Sequence, residues 1–148
     1  MKTVTLSFSI VVNADQKTIF DYVSDWERQS EWILFTTVKD LSPREQPQDH
    51  SLLAITKFGP IRLVDTMIVT AWKPYDKIVV EHTGRIVLGK GVFTVTRLSQ
   101  DSCEFTWREI TPVPFGLLGQ AVLLIFRPLI RWPFMKSLKT LKAIIEAR

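Results

Sequence analysis

Three titratable side chains on three predicted strands could carry chemistry: Asp65, His82 and Glu109. Alternation along Cys103–Glu109 puts Cys103, Phe105, Trp107 and Glu109 on one face. With the aromatics facing the core, Glu109 is carried into or beside an apolar space, where a carboxylate can serve as general base or acid. The structural alternative is a rim glutamate paired with Arg97 or Arg108. Asp65 stands among Leu63, Met67, Val69 and Ala71 on one strand face. A carboxylate buried there needs hydrogen bonds or a cation, so it is either a ligand anchor or the partner of an arginine. His82 alternates with Ile78 and Val80. Facing inward, its imidazole could share a proton with Glu109 or hold a ligand carbonyl, although a lone strand histidine also serves as a satisfied core or rim residue. A one-residue slip in hairpin register would reverse these assignments.

Other chemistries have no template. The chain holds no Gly-Lys-Ser/Thr phosphate loop, no Gly-x-Gly-x-x-Gly fingerprint and no nucleophile elbow. Cys103 is the only cysteine, so an internal disulfide is excluded, and Asp101 and Glu104 beside it oppose thiolate formation. With only His50 and His82 in addition, no zinc-type ligand set is spelled out, and no metal or cofactor is expected. The residues expected to wall a cavity are Phe93, Val95, Phe105 and Trp107 on the sheet side and Leu123, Phe126 and Ile130 on a helix. The alternative is that they fill a dry core. Gly89 and Gly91 precede Phe93 in its strand and read as a bend or bulge, or as a place where a ligand comes close.

The elements that must position these residues are readable from periodicity. Val4, Leu6, Phe8, Ile10 and Val12 share one face of a strand over Thr3–Val12. Asn13 is placed to cap a helix over Ala14–Val23, and Ser24–Glu27 has capping-box spacing for a second short helix ending near Trp32. Further strands are predicted at Phe35–Leu41, Ser51–Phe58, Ile61–Trp72, Lys77–Thr83, Arg85–Leu98 and Cys103–Thr111, with a polar loop over Ser42–His50 and a Gly59-Pro60 turn. Short connections imply an antiparallel sheet. From Phe115 to Arg148 the chain reads as one long helix. Phe134, Leu138, Leu141 and Ile145 form its buried stripe, the first half is apolar on nearly every face, and Pro128 and Pro133 should kink or break it.

The 148 residues suit a single domain, 1–148, and a composition that is 46% hydrophobic and 23% charged argues against disorder. The net charge of +4 is uneven: residues 112–148 carry Arg127, Arg131, Lys136, Lys139, Lys142 and Arg148 against Glu146 alone. Cations near a helix C-terminus complement its dipole. Beside the apolar Leu117–Phe126 run they also suit transient contact with a membrane surface. A transmembrane span is not expected, because that run meets Arg127 well short of about 20 residues. Nucleic-acid binding is not expected, since the basic residues are not interleaved with exposed aromatics along a sheet. The N-terminus has no signal-like core, and a reducing cytoplasm is the expected compartment.

Element order and local residues together resemble a known group. The strand Phe8–Asn13, the helix Thr18–Asp25 and Trp32 after a short helix are similar to the opening of START-like proteins. This helix-grip group, also called SRPBCC, includes polyketide cyclase/dehydratase-like proteins, lipid-transfer domains and plant pollen allergens. Val69–Pro74, Phe105–Glu109 and the closing Ser137–Lys142 fit the same pattern, so the resemblance spans essentially the whole chain. It implies an α+β helix-grip fold: a curved seven-stranded antiparallel sheet with two short helices and a long C-terminal helix enclosing a cavity. It also implies a small hydrophobic ligand such as a lipid, sterol or polyketide-like molecule. The alternative is a cyclase or dehydratase using one or two cavity acid/base groups. No catalytic residue carries over, because the group shares no catalytic motif, and fold alone does not decide function.

Overall fold

The computed structural model describes residues 2–42 and 47–148. Its strands are β1 (Thr3–Val12), β2 (Thr36–Asp40), β3 (Ser51–Phe58), β4 (Ile61–Lys73), β5 (Lys77–His82), β6 (Lys90–Ser99) and β7 (Ser102–Pro112). They form one antiparallel sheet in the order β1-β7-β6-β5-β4-β3-β2. Helix α1 (Gln16–Val23) and a 3₁₀ turn (Trp26–Glu31) follow β1, and helix α2 (Gly116–Glu146) closes the chain. This is the helix-grip architecture expected from the sequence. Part of the polar loop expected over Ser42–His50 lies outside the described residues.

Local chemistry explains most boundaries, and some differ from expectation. Asp15, not Asn13, caps α1: its Oδ1 accepts from the Thr18 N–H at 2.7 Å. The Asn13 N–H instead donates to Glu146 Oε2 at 2.8 Å, near the end of α2. Lys142 Nζ donates to that same carboxylate and to the Val11 carbonyl, so β1 and the helix end are tied together. Ser24–Glu27 makes no capping box; the turn begins after Asp25 without a side-chain cap and is 3₁₀ rather than α.

The strand expected from Arg85 begins only at Lys90, and residues 83–89 form an irregular connection. Gly89 ends it with φ +95°, and a Cβ there would lie 2.0 Å from the Ile110 carbonyl oxygen. No other residue fits where β6 meets β7 so closely. In β4 a register shift between Val69 and Ala71 reverses the alternation. Ala71 therefore faces solvent and Trp72 turns inward against Phe20 and Trp26. A bulge inserts one residue on one strand only, which is why strict period-two reading failed beyond Val69.

The core lies between the sheet's inner face, α1 and the second half of α2. Leu138, Leu141 and Ile145 are buried, and Phe134 stacks on Phe8 with ring centroids 4.4 Å apart. The expected break at Pro128 and Pro133 does not occur, and α2 runs through both. Ser137, four residues after Pro133, donates its hydroxyl to the Pro133 carbonyl at 2.7 Å and accepts from the Leu34 N–H at 2.9 Å. This buried hydroxyl fastens the helix to the segment before β2.

Candidate functional site

Between the sheet and α2 lies a cavity of about 420 Å³, a size typical of small-ligand sites. Its walls are mainly apolar: Val38, Leu52 and Ala54 from β2 and β3, Leu63 and Met67 from β4, Ile78 and Val80 from β5. Phe93 and Trp107 supply aromatic surface from β6 and β7, and Pro133, Phe134 and Ser137 supply the helix side.

Asp65, His82 and Glu109 all line this space and meet in one cluster. The His82 Nδ1 lies 2.8 Å from Asp65 Oδ2, and its Nε2 lies 3.0 Å from Glu109 Oε2. The Trp107 indole N–H donates to Glu109 Oε1 at 2.8 Å. Burial alone would lower the His82 pKa, but the hydrogen bonds and charges of Asp65 and Glu109 override it and raise it to about 9. At neutral pH His82 is therefore an imidazolium donating one N–H to each carboxylate. Its side chain is 5% exposed, and those of Asp65 and Glu109 are 13% and 19% exposed.

The cluster spans four strands' width because of what β6 lacks. Register places Val80 and Glu109 on either side of Gly91. A Cβ on Gly91 would lie 3.2 Å from Glu109 Oε1 and 3.1 Å from Val80 Cγ2. With only hydrogen there, Glu109 from β7 and His82 from β5 meet over the intervening strand. Asp65 is reached diagonally, since His82 pairs in register with Met67, two residues further along β4.

The partners of Glu109 are thus a histidine and a tryptophan, not Arg97 or Arg108. Arg97 Nε donates to the Ser99 carbonyl, and Arg108 alternates to the other face of β7. Of the expected wall residues, Phe93 and Trp107 line the cavity. Val95 and Phe105 share their face but are buried in the core, where Phe105 packs edge-on against Trp32 and Phe93. Leu123, Phe126 and Ile130 do not line it. The helix reaches the cavity only from Pro133 onward, where Phe134 packs on Phe8 of β1 and Trp107 of β7, and Phe126 is exposed. Sequence reasoning missed Ser137 and the β2–β3 wall, because short apolar strands and a helical serine carry no signal of their own. Among the described residues no group of three or more His, Cys, Asp or Glu is arranged to hold a metal ion. In this cluster the two ring nitrogens of His82 point at different carboxylates, so the three side chains do not converge on one point.

No protein-family model matches the chain, and no curated protein matches its sequence. Solved structures do. The Zhui aromatase/cyclase from Streptomyces aligns over 99% of this chain and 96% of its own, with 11% identity and a TM-score of 0.80. A START superfamily protein from Mycobacterium smegmatis aligns over 97% of both chains, with 18% identity and a TM-score of 0.73. The di-domain ARO/CYC StfQ of the steffimycin biosynthetic pathway matches 99% of this chain with 51% of its own, at 14% identity and a TM-score of 0.71. At such identities the likeness speaks for fold.

Proposed function

We propose that this chain, which has the START-like helix-grip fold, binds a small hydrophobic ligand whose polar end is a hydrogen-bond donor. The observation that carries this reading is the Asp65–His82–Glu109 cluster opening into a mainly apolar cavity. Every donor of the cluster is already spent on a carboxylate: both His82 N–H groups and the Trp107 indole N–H. What is left for a ligand is carboxylate lone pairs. A phenol or enol hydroxyl satisfies them, whereas a carbonyl or carboxylate placed at the cluster meets acceptors only.

A matched pair of ligands tests this. Titrating the protein with 2-naphthol and with naphthalene should give binding of both, with 2-naphthol tighter by roughly tenfold or more, as expected for one hydrogen bond to a charged acceptor. Gly91→Val, which pushes a side chain against Glu109 and into the cavity, should weaken both. Equal affinities would remove the hydroxyl assignment, and no binding of either would remove the ligand-binding reading.

The same cluster favours a second reading, a cyclase- or dehydratase-type acid–base catalyst. A carboxylate held beside an imidazolium can accept the α C–H proton of a bound ketone, which leaves an enolate whose negative charge the neighbouring imidazolium offsets. Exchange of the α-protons of 2-tetralone in D₂O, followed by NMR, should then be accelerated by the protein and fall to background with Glu109→Gln. Background exchange with the unaltered protein would leave binding alone.

A further inference from the structure

The first half of α2 is a hydrophobic surface that the fold does not cover. Leu118, Val122, Ile125, Leu129 and Trp132 recur at spacings of four, three, four and three, so they form one stripe. All five are exposed, between 45% and 72%. Lys136 and Lys139 continue the same stripe along the second half of the helix, whose opposite face is the buried one. Arg127 and Arg131 are exposed as well, but helical spacing puts them on the side of α2 opposite this stripe.

Further exposed apolar residues stand at the end of the sheet where α2 begins. Strand direction puts at that end Phe58 and Ile61 of the β3–β4 hairpin, Ile86 before β6, and Phe115 after β7. Exposed Lys57, Arg62 and Arg85 accompany them.

We propose that this surface docks on an anionic lipid bilayer, with the outer stripe of α2 in the headgroup boundary and Lys136 and Lys139, which continue it, on lipid phosphates. Between Gly116 and Leu141 the helix carries Arg127, Arg131, Lys136 and Lys139 and no carboxylate. That charge complements an anionic surface. It opposes pairing with a second copy of the chain, which would set cation against cation. By length and composition α2 qualifies as a membrane span, with a mean hydropathy of 1.3 in its most apolar window. Its second half, however, is the core stripe Leu138, Leu141 and Ile145, which cannot leave the sheet without unfolding it. The free part, from Gly116 to Trp132, is roughly 25 Å long at the α-helical rise and contains two arginines. It falls short of a hydrocarbon core about 30 Å thick, so it lies along the surface rather than across it.

Co-sedimentation with vesicles tests the assignment, using phosphatidylcholine alone and an equal mixture of phosphatidylcholine and phosphatidylglycerol. The protein should sediment with the mixed vesicles at low salt and be released as salt rises. Lys136→Ser and Lys139→Ser should weaken binding by roughly fivefold each. The double variant I125E/L129E should weaken it by roughly tenfold or more for each side chain. Both of those positions are exposed, so thermal unfolding should match the unaltered protein, and ligand titration should show an unchanged cavity. Protein that stays in the supernatant, binds neutral vesicles equally well, or ignores the lysine substitutions would overturn the proposal. So would a reversible dimer dissolved by I125E/L129E in a chain that binds no vesicles, since the occupant would then be a second copy.

Discussion

His82→Ala is expected to destabilise the protein by about 3–5 kcal/mol at neutral pH, the cost of leaving buried charge without its partner. Asp65 and Glu109 are both mostly buried, and the imidazolium is the cation that lies between them. Glu109 keeps the Trp107 indole N–H as a donor, but the bond it makes to His82 and the bonds Asp65 makes to His82 are lost. Equilibrium urea unfolding measures the loss. In the His82→Ala background, Asp65→Asn combined with Glu109→Gln should recover much of it, because neutral amides tolerate the cavity better than two facing carboxylates. The comparison separates charge from packing. A deficit below about 1 kcal/mol, or no recovery in the triple variant, would mean that the cluster is not held as an ion pair network.

The second large effect is a pH dependence. The folded-state pKa of His82 is about 9, above its unfolded value near 6.5. The native state therefore binds the proton more tightly than the unfolded chain. The resulting stabilisation is present in full below about pH 6.5 and is lost as pH rises through about 9, amounting to roughly 3 kcal/mol over that window. Unfolding free energies measured from pH 6 to 10 should fall along this curve. His82→Gln should flatten it, and the difference between the two proteins removes other groups that titrate at the upper end, such as the buried Cys103 thiol, whose pKa is raised chiefly by burial. A curve for the unaltered protein that is level through this window would show that His82 is neutral in the folded state. One of the two carboxylates would then lack its N–H partner, since a neutral imidazole donates only once.

Both effects depend on residues whose inward direction was legible before their company was. Period-two alternation places Asp65, His82 and Glu109 on the inner face of three strands, and it does so with no knowledge of the sheet. The strand ladder followed the predicted segments closely, with Ser51–Phe58 recovered in full. The C-terminal stripe also held, because Phe134, Leu138, Leu141 and Ile145 repeat with the helical period while the exposed Lys136 and Lys139 do not share their face. Burial of one face against a sheet is written in the order of residue types along the chain, so it can be read there.

Tertiary structure alone decided which inward residues touch. Alternation names a face, but contact across three strands depends on hairpin register and on what the middle strand carries; here that is Gly91, whose missing side chain lets Glu109 and His82 meet. The bulge in β4 is invisible to a periodic reading, because one inserted residue alters parity without altering composition. The first half of α2 shows the same limit in a helix. It is apolar on nearly every face, so no stripe tells which side meets the protein, and Leu123, Phe126 and Ile130 were assigned to a cavity that the helix reaches only at Pro133. Hydrophobicity by itself sets the tendency to be covered; the packing of the rest of the chain determines whether the protein supplies the cover.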